Sequence, residues 1–119
     1  VVLNMARLQV EGLDAVASFH GSLASPATAP EGLNARVAVF NGAADPMVPA
    51  EQVTAFKAEM EQAGAELLFE NYEGVLHSFT SREANYFAQK YNLPLGYDEA
   101  ADTDSWEKLR GFLADTFLE

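Results

Sequence analysis

Apolar residues recur at helical spacing in three parts of the chain. Residues 1–10 carry them on one face, which predicts a helix at the start of the sequence. Residues 49–63 repeat apolar side chains at helical intervals and are followed by a glycine, which predicts a second helix. A last helix is expected to take Asp102 or Thr103 as its cap. Its large apolar residues share one face: Trp106, Leu109, Phe112, Leu113 and Phe117. Of these, Trp106, Phe112 and Phe117 are expected in the core.

Three short apolar runs predict buried strands over residues 13–19, 36–40 and 66–72. The segments between them are rich in turn-forming residues and predict a loop over 22–35 and a long connection over 74–100. Because helices alternate with strands that are apolar throughout, we expect a parallel sheet that is covered on both faces.

Length and composition fit one globular domain. The chain has 119 residues, enough for a single core, so we interpret residues 1–119 as one domain. Its 18 acidic and 7 basic side chains give a net charge of −11, which argues against binding to nucleic acid or to a membrane surface. The chain contains no cysteine, which is compatible with the cytoplasm, the compartment we expect.

Polar residues that could carry chemistry follow each predicted strand. His20 follows the first strand, Asp45 the second and His77 the third. Each alone has an ordinary structural explanation, as a turn aspartate or a hydrogen-bonded loop histidine. Because the carboxyl ends of parallel strands meet at one edge of a sheet, Asp45 and His77 together suggest an acid–base dyad with heavy atoms about 2.6–3.2 Å apart. For His20 we expect a structural role, with its ring hydrogen-bonded beneath the site.

Several segments resemble the C-terminal half of the dienelactone hydrolase family, a branch of the α/β-hydrolases. The similarity lies in the segments 1–7, 18–22, 40–49, 74–79 and 104–106. The resemblance implies a partial α/β-hydrolase fold, with three mostly parallel strands and flanking helices. It further implies that Asp45 is the acid and His77 the base of a Cys/Ser-His-Asp triad.

The nucleophile that the resemblance implies is not found in this chain. In the family it stands on a sharp turn before the helix that resembles residues 1–7, and neither G-x-S-x-G nor G-x-C-x-G occurs here. We therefore expect the isolated 119 residues to be inactive. Because residue 1 is valine and the chain opens inside an apolar-periodic run without a cap residue, we interpret the start as a cut edge. Ser22 and Ser78 are the nearest hydroxyls, for which loop hydrogen bonding is expected. Arg82 lies one position beyond the family's substrate-binding arginine and is a weak candidate for that role.

Two functions remain open from the sequence. One is a hydrolase of small-molecule esters or lactones that needs neither cofactor nor metal, with a nucleophile, Cys or Ser, outside this chain. The alternative is a non-catalytic α/β remnant that acts as a self-associating or binding module. Because the strand over 13–19 would lack a neighbour, we expect a homo-oligomer or association with the missing N-terminal half.

Overall fold

The computed structural model describes residues 1–118, which form four helices and three strands. The elements are α1 Val2–Arg7, β1 Ala15–Phe19, β2 Arg36–Gly42, α2 Ala50–Ala63, β3 Leu67–Tyr72, α3 Ala84–Tyr91 and α4 Glu99–Phe117. Within this described part, none of the helices combines the length and the apolar character needed to cross a membrane.

The three strands form a parallel sheet in the order β1-β2-β3. Phe19 at the end of β1 pairs with Phe40 of β2, and Gly42 at the end of β2 pairs with Tyr72 of β3. The carboxyl ends of all three strands therefore lie along one edge of the sheet. The predicted fold class, three mostly parallel strands with flanking helices, is confirmed.

Helices cover both faces of the sheet, and the sheet separates the core into two apolar layers. Side chains of β2 alternate between the faces, as a strand requires. Val39 packs in one layer with Leu3 of α1 and Phe56 of α2. Phe40 packs in the other layer with Phe112 of α4. All five of these side chains are buried, so β2 is the centre of the core.

A buried ion pair fastens α1 to α2 and to the loop after β1. Arg7 donates to both carboxylate oxygens of Glu59 at 2.8 Å and to the carbonyl of Leu23 at 2.7 Å. The N–H of Ala29 donates to the same carboxylate at 2.8 Å. The Arg7 hydrogen bonds hold the pKa of Glu59 below its ordinary value, against the opposing effect of burial. The long loop over 22–35 is thereby held against the helical layer.

The connection after β3 contains more helix than the sequence predicts. Residues 84–91 form α3, whose only buried residue is Ala84, so no core-facing stripe marks it in the sequence. α4 begins at Glu99, and its cap is Asp98 instead of Asp102 or Thr103. The side chain of Asp98 accepts from the N–H of Ala101 at 2.8 Å. The first turn of α4, residues 99–102, holds no large apolar side chain, so apolar periodicity did not mark this start.

Large residues of α4 are also less buried than their shared helix face predicts. Phe112 is 5% exposed and lies in the core as expected. The expectation was wrong for Trp106 and Phe117, which are 52% and 58% exposed. Leu113, on the same face, is 40% exposed. Trp106 still packs against Phe19 of β1, with ring centroids 5.3 Å apart. A shared helix face therefore does not by itself ensure burial.

Candidate active site

Asp45 lies in the turn after β2 with its side chain fully shielded from solvent. Its Oδ1 accepts from the N–H of Met47 at 2.8 Å, the bond that a turn aspartate makes to the backbone two residues on. The N–H of Asp45 donates to the carbonyl of Gly42 at 3.1 Å. The turn role thus occupies one carboxylate oxygen and leaves Oδ2 free to face another element.

His77 lies in the loop after β3 and meets that second oxygen. Its Nδ1 is 2.7 Å from Oδ2 of Asp45, within the range expected from the sequence. A carboxylate can only accept, so Nδ1 carries the proton and Nε2 carries the lone pair in the neutral ring. The His77 side chain is 23% exposed, whereas that of Asp45 is 0% exposed. The buried acid therefore holds a base that remains open to the surface.

Gly42 allows the two turns to touch. A Cβ at this position would collide with the carbonyl oxygen of Val75 and lie 2.7 Å from that of Leu76. The carbonyl of Val75 also accepts from the N–H of Ala44 at 3.0 Å. The backbone that leads to His77 therefore passes directly over the end of β2, where only glycine leaves room.

A segment before α4 holds the other side of the His77 loop. The N–H of Gly96 donates to the carbonyl of His77, and the N–H of Asp98 to that of Phe79, both at 3.1 Å. Leu95 forms an isolated parallel bridge with His77. Because Asp98 also caps α4, the helix start and the His77 loop share one anchor.

His20 packs beside this pair at the end of β1. Its Nε2 is joined by a hydrogen bond to Oγ1 of Thr80 at 3.0 Å, which agrees with the structural role expected for it. Burial lowers the pKa of His20 below its ordinary value, and the nearby His77 lowers it further. A backbone hydrogen bond and Asp45 oppose the decrease.

The arrangement can orient an imidazole and stabilise its protonated form, which is what general base catalysis requires. Among residues 1–118, no three His, Asp or Glu side chains are grouped so that they could hold a metal ion. A cavity of about 280 Å³ lined by residues 9–14 and 34–35 lies at the amino ends of β1 and β2, away from Asp45 and His77. A larger one, of about 380 Å³, is lined in part by Val75 and Asp98, which flank the His77 loop. The candidate site is identified by the side-chain chemistry of Asp45 and His77.

Comparison with protein families identifies the family of this chain. The sequence model of the dienelactone hydrolase family matches residues 1–117. The chain belongs to the dienelactone hydrolase family. Together with the α/β fold, membership of this family supports a hydrolase-type function.

Individual relatives agree with the family match. An uncharacterized protein of Caenorhabditis elegans is 33% identical over 117 residues, which cover 97% of this chain and 72% of the worm protein. A dienelactone hydrolase-like promiscuous phosphotriesterase from metagenomic libraries superposes with a TM-score of 0.83 at 27% identity, over 96% of this chain and 46% of its own. A structure named m3DLH gives a TM-score of 0.80 at 28% identity, and the match covers 97% of this chain and 47% of m3DLH. This chain thus spans about half the length of the solved dienelactone hydrolase-like structures.

The weaker candidates from the sequence are Arg82, Ser22 and Ser78. Arg82 is exposed in the segment between His77 and α3, so its role in substrate binding stays a prediction. Ser22 is exposed after β1, and Ser78 has a positive φ of 60° directly after His77. Neither serine makes a hydrogen bond to His77 within residues 1–118.

The sequence did not reveal two residues that shape the site. Gly42 had a detectable signal, because a glycine at the end of a buried strand often marks close approach of another backbone. Thr80 had no signal, since its bond to His20 joins residues 60 positions apart in the sequence.

Proposed function

We propose that this chain forms part of a hydrolase of carboxylic ester or lactone bonds, in which Asp45 is the triad acid and His77 the triad base. The observation that carries the proposal is the 2.7 Å contact between Oδ2 of Asp45 and Nδ1 of His77. It joins turns that follow two adjacent parallel strands, at the edge where such sheets place their active sites. Membership of the dienelactone hydrolase family supports the same assignment.

The reaction follows from which nitrogen of His77 is occupied. With Nδ1 bonded to Asp45, Nε2 accepts the proton of a serine hydroxyl or cysteine thiol as that group attacks the carbonyl carbon. The tetrahedral intermediate collapses when the imidazolium returns the proton to the leaving alkoxide, which departs as an alcohol. Water then attacks the acyl-enzyme and gives a proton to Nε2. The second tetrahedral intermediate collapses as the imidazolium returns that proton to the serine or cysteine, which releases the carboxylic acid and the free nucleophile. The buried Asp45 stabilises the imidazolium in both halves of the cycle.

The proposal places the nucleophile in residues other than these 119. The sequence contains neither G-x-S-x-G nor G-x-C-x-G, the turns on which such nucleophiles stand. The substrate is proposed to be a small-molecule ester or lactone, with Arg82 a weak candidate for contact with it. Because one relative is described as a promiscuous phosphotriesterase, a phosphotriester is a sensible second probe.

A non-catalytic binding module is the competing proposal, and the absence of the nucleophile motif from these residues favours it. The two are separated by 4-nitrophenyl acetate hydrolysis measured on the 119 residues and on the full product of the reading frame, because only the hydrolase proposal expects the full product to be active. We expect the 119 residues alone to show only the background rate, since loss of a triad nucleophile typically costs about 10⁴-fold or more.

The full product of the reading frame that encodes these residues provides the decisive sample. We expect it to hydrolyse the ester, and His77→Ala to reduce kcat/KM by at least about 10³-fold. Hydrolysis that survives His77→Ala unchanged would contradict the proposal. A folded full product without any hydrolysis of esters, lactones or phosphotriesters would favour the binding module.

A further inference from the structure

His20 leaves the sheet in a conformation that is unusual for its residue type. It has a φ of 42°, in the left-handed region that non-glycine residues adopt only at a cost in free energy. Its N–H nevertheless donates to the carbonyl of Phe40 at 2.8 Å, as a continuation of the pairing between β1 and β2. The chain therefore turns sharply at His20 while its backbone is still fixed to the sheet.

The His20 ring contacts the His77 loop at three of four consecutive residues. Its centroid lies 5.4 Å from that of His77 with an interplanar angle of 69°, an edge-on arrangement. It lies at the same distance from Phe79, with an angle of 81°. Its Nε2 bonds to Oγ1 of Thr80 at 3.0 Å. Edge-on aromatic contacts and a hydrogen bond are directional, so together they constrain how the loop can rotate.

We propose that His20 is a positioning residue that fixes the His77 ring in the orientation in which Nδ1 meets Asp45. This inference rests on the proposed function of Asp45 and His77 as the acid and base of a hydrolase. The positioning role explains why His20 keeps a strained conformation, because that backbone geometry places the ring against His77, Phe79 and Thr80.

The electrostatics of the site agree with this role. The titratable groups that face His20 are His77, from the loop after β3, and Asp45, from the turn after β2. Burial first, and then the proximity of His77, lower the pKa of His20. A neutral His20 ring can lie beside His77 while His77 carries the catalytic proton, whereas two adjacent imidazolium ions would repel each other.

The test follows the proton on Nδ1 of His77 by NMR. The chain has only two histidines, so a single His20 variant identifies the imidazole signals of both. We compare Thr80→Val, which removes the hydroxyl at nearly constant shape, with Thr80→Ser, which keeps it. His20→Phe is the second variant, because it keeps an aromatic ring and removes the bond to Thr80.

We expect the Nδ1 proton to exchange with water at least about tenfold faster in Thr80→Val and in His20→Phe, and within about twofold of the original rate in Thr80→Ser. The amide of Phe40 in the sheet core serves as the reference for global unfolding, and its exchange rate is subtracted from that of the Nδ1 proton. Unchanged exchange in Thr80→Val, or equal acceleration of the Phe40 amide, would overturn the inference. So would an Nδ1 proton that exchanges too fast to observe before any substitution.

This readout does not depend on turnover, so the two proposals fail separately. A proton that responds as expected, together with a full product of the reading frame that has no hydrolase activity, would refute the proposed function and leave the positioning role. Suppose instead that hydrolysis requires His77, but the exchange rate of the Nδ1 proton is unchanged by substitution of His20 or Thr80. That result would support the proposed function and refute the positioning role.

Discussion

At the scale of single residues, the contact between Asp45 and His77 depends on the absence of a side chain at Gly42. The carbonyl oxygens of Val75 and Leu76 occupy the space that a side chain at this position would need. Both belong to the backbone that enters the His77 loop, and backbone atoms cannot rotate away as the end of a flexible side chain could. The geometry of the candidate dyad is therefore sensitive to a single methyl group.

We expect Gly42→Ala to destabilise the fold by about 1–3 kcal/mol, the usual range for overpacking a buried site. The same substitution at Gly111 is the matched control, since no heavy atom lies within 4 Å of its added Cβ and it stands inside α4. There alanine is expected to stabilise by roughly 0.5–1 kcal/mol. Urea unfolding of both variants gives the comparison, and equal midpoints would contradict the account of Gly42.

The positions of Asp45 and His77 could be predicted from the sequence, because parallel strands bring their carboxyl ends to one edge. Their approach to 2.7 Å follows from that topology and from the turn around Asp45. The bond between His20 and Thr80 could not be predicted, since it depends on the path of a loop with no periodic pattern. The exposure of Trp106 was likewise hidden, because a helical stripe shows which residues share a face and not how wide the covering sheet is.

At the scale of elements, the start of α4 is tied to the candidate site. Asp98 caps the helix through its side chain, and its N–H donates to the carbonyl of Phe79 in the His77 loop. The sequence places the cap at Asp102 or Thr103 because apolar periodicity becomes clear only after them. The start of α4 is instead fixed by the hydrogen bond from the N–H of Ala101 to the side chain of Asp98. In the sequence, several nearby acidic residues could equally have served as that cap.

We expect Asp98→Ala to lower the free energy of unfolding by about 0.5–2 kcal/mol, the usual value of a side-chain cap. Thr103→Ala is the control. Thr103 is exposed inside the helix, so its change should stay within about 0.5 kcal/mol. Thermal or urea unfolding measures both. A larger loss for Thr103→Ala than for Asp98→Ala would show that the cap lies where the sequence alone suggested.

At the scale of the whole molecule, the sheet has an unpaired edge between two partly apolar helices. Within residues 1–118, β1 pairs with β2 on one side only. Leu8, just after α1, is 70% exposed, and Trp106 and Phe117 of α4 are each more than half exposed. Further exposed apolar residues lie on α3, where Tyr86 and Tyr91 are 58% and 56% exposed. Apolar surface therefore lies beside the open edge of β1 and also on α3.

We expect the 119-residue chain, produced alone, to be a dimer or larger at micromolar concentration, because an open strand edge with apolar flanks favours association. The net charge of −11 opposes self-association, so the effect should grow as salt screens that charge. Light scattering measures the mass. Leu8→Glu is expected to shift the distribution towards monomer, and Thr103→Glu is not. A monomer of 12.9 kDa at every salt concentration would contradict this expectation.

The account as a whole depends on Asp45 acting through His77, and kcat/KM for Asp45→Asn tests that dependence most directly. The measurement uses ester hydrolysis by the full product of the reading frame. Asparagine keeps the size of the side chain but not the carboxylate that selects the His77 tautomer, so we expect a loss of about 10²–10⁴-fold. Asp14→Asn, an exposed carboxylate at the opposite end of the sheet, is expected to stay within about twofold of the original rate. Equal activity of Asp45→Asn and Asp14→Asn would contradict the assignment of Asp45 and His77 as the acid and base of a hydrolase.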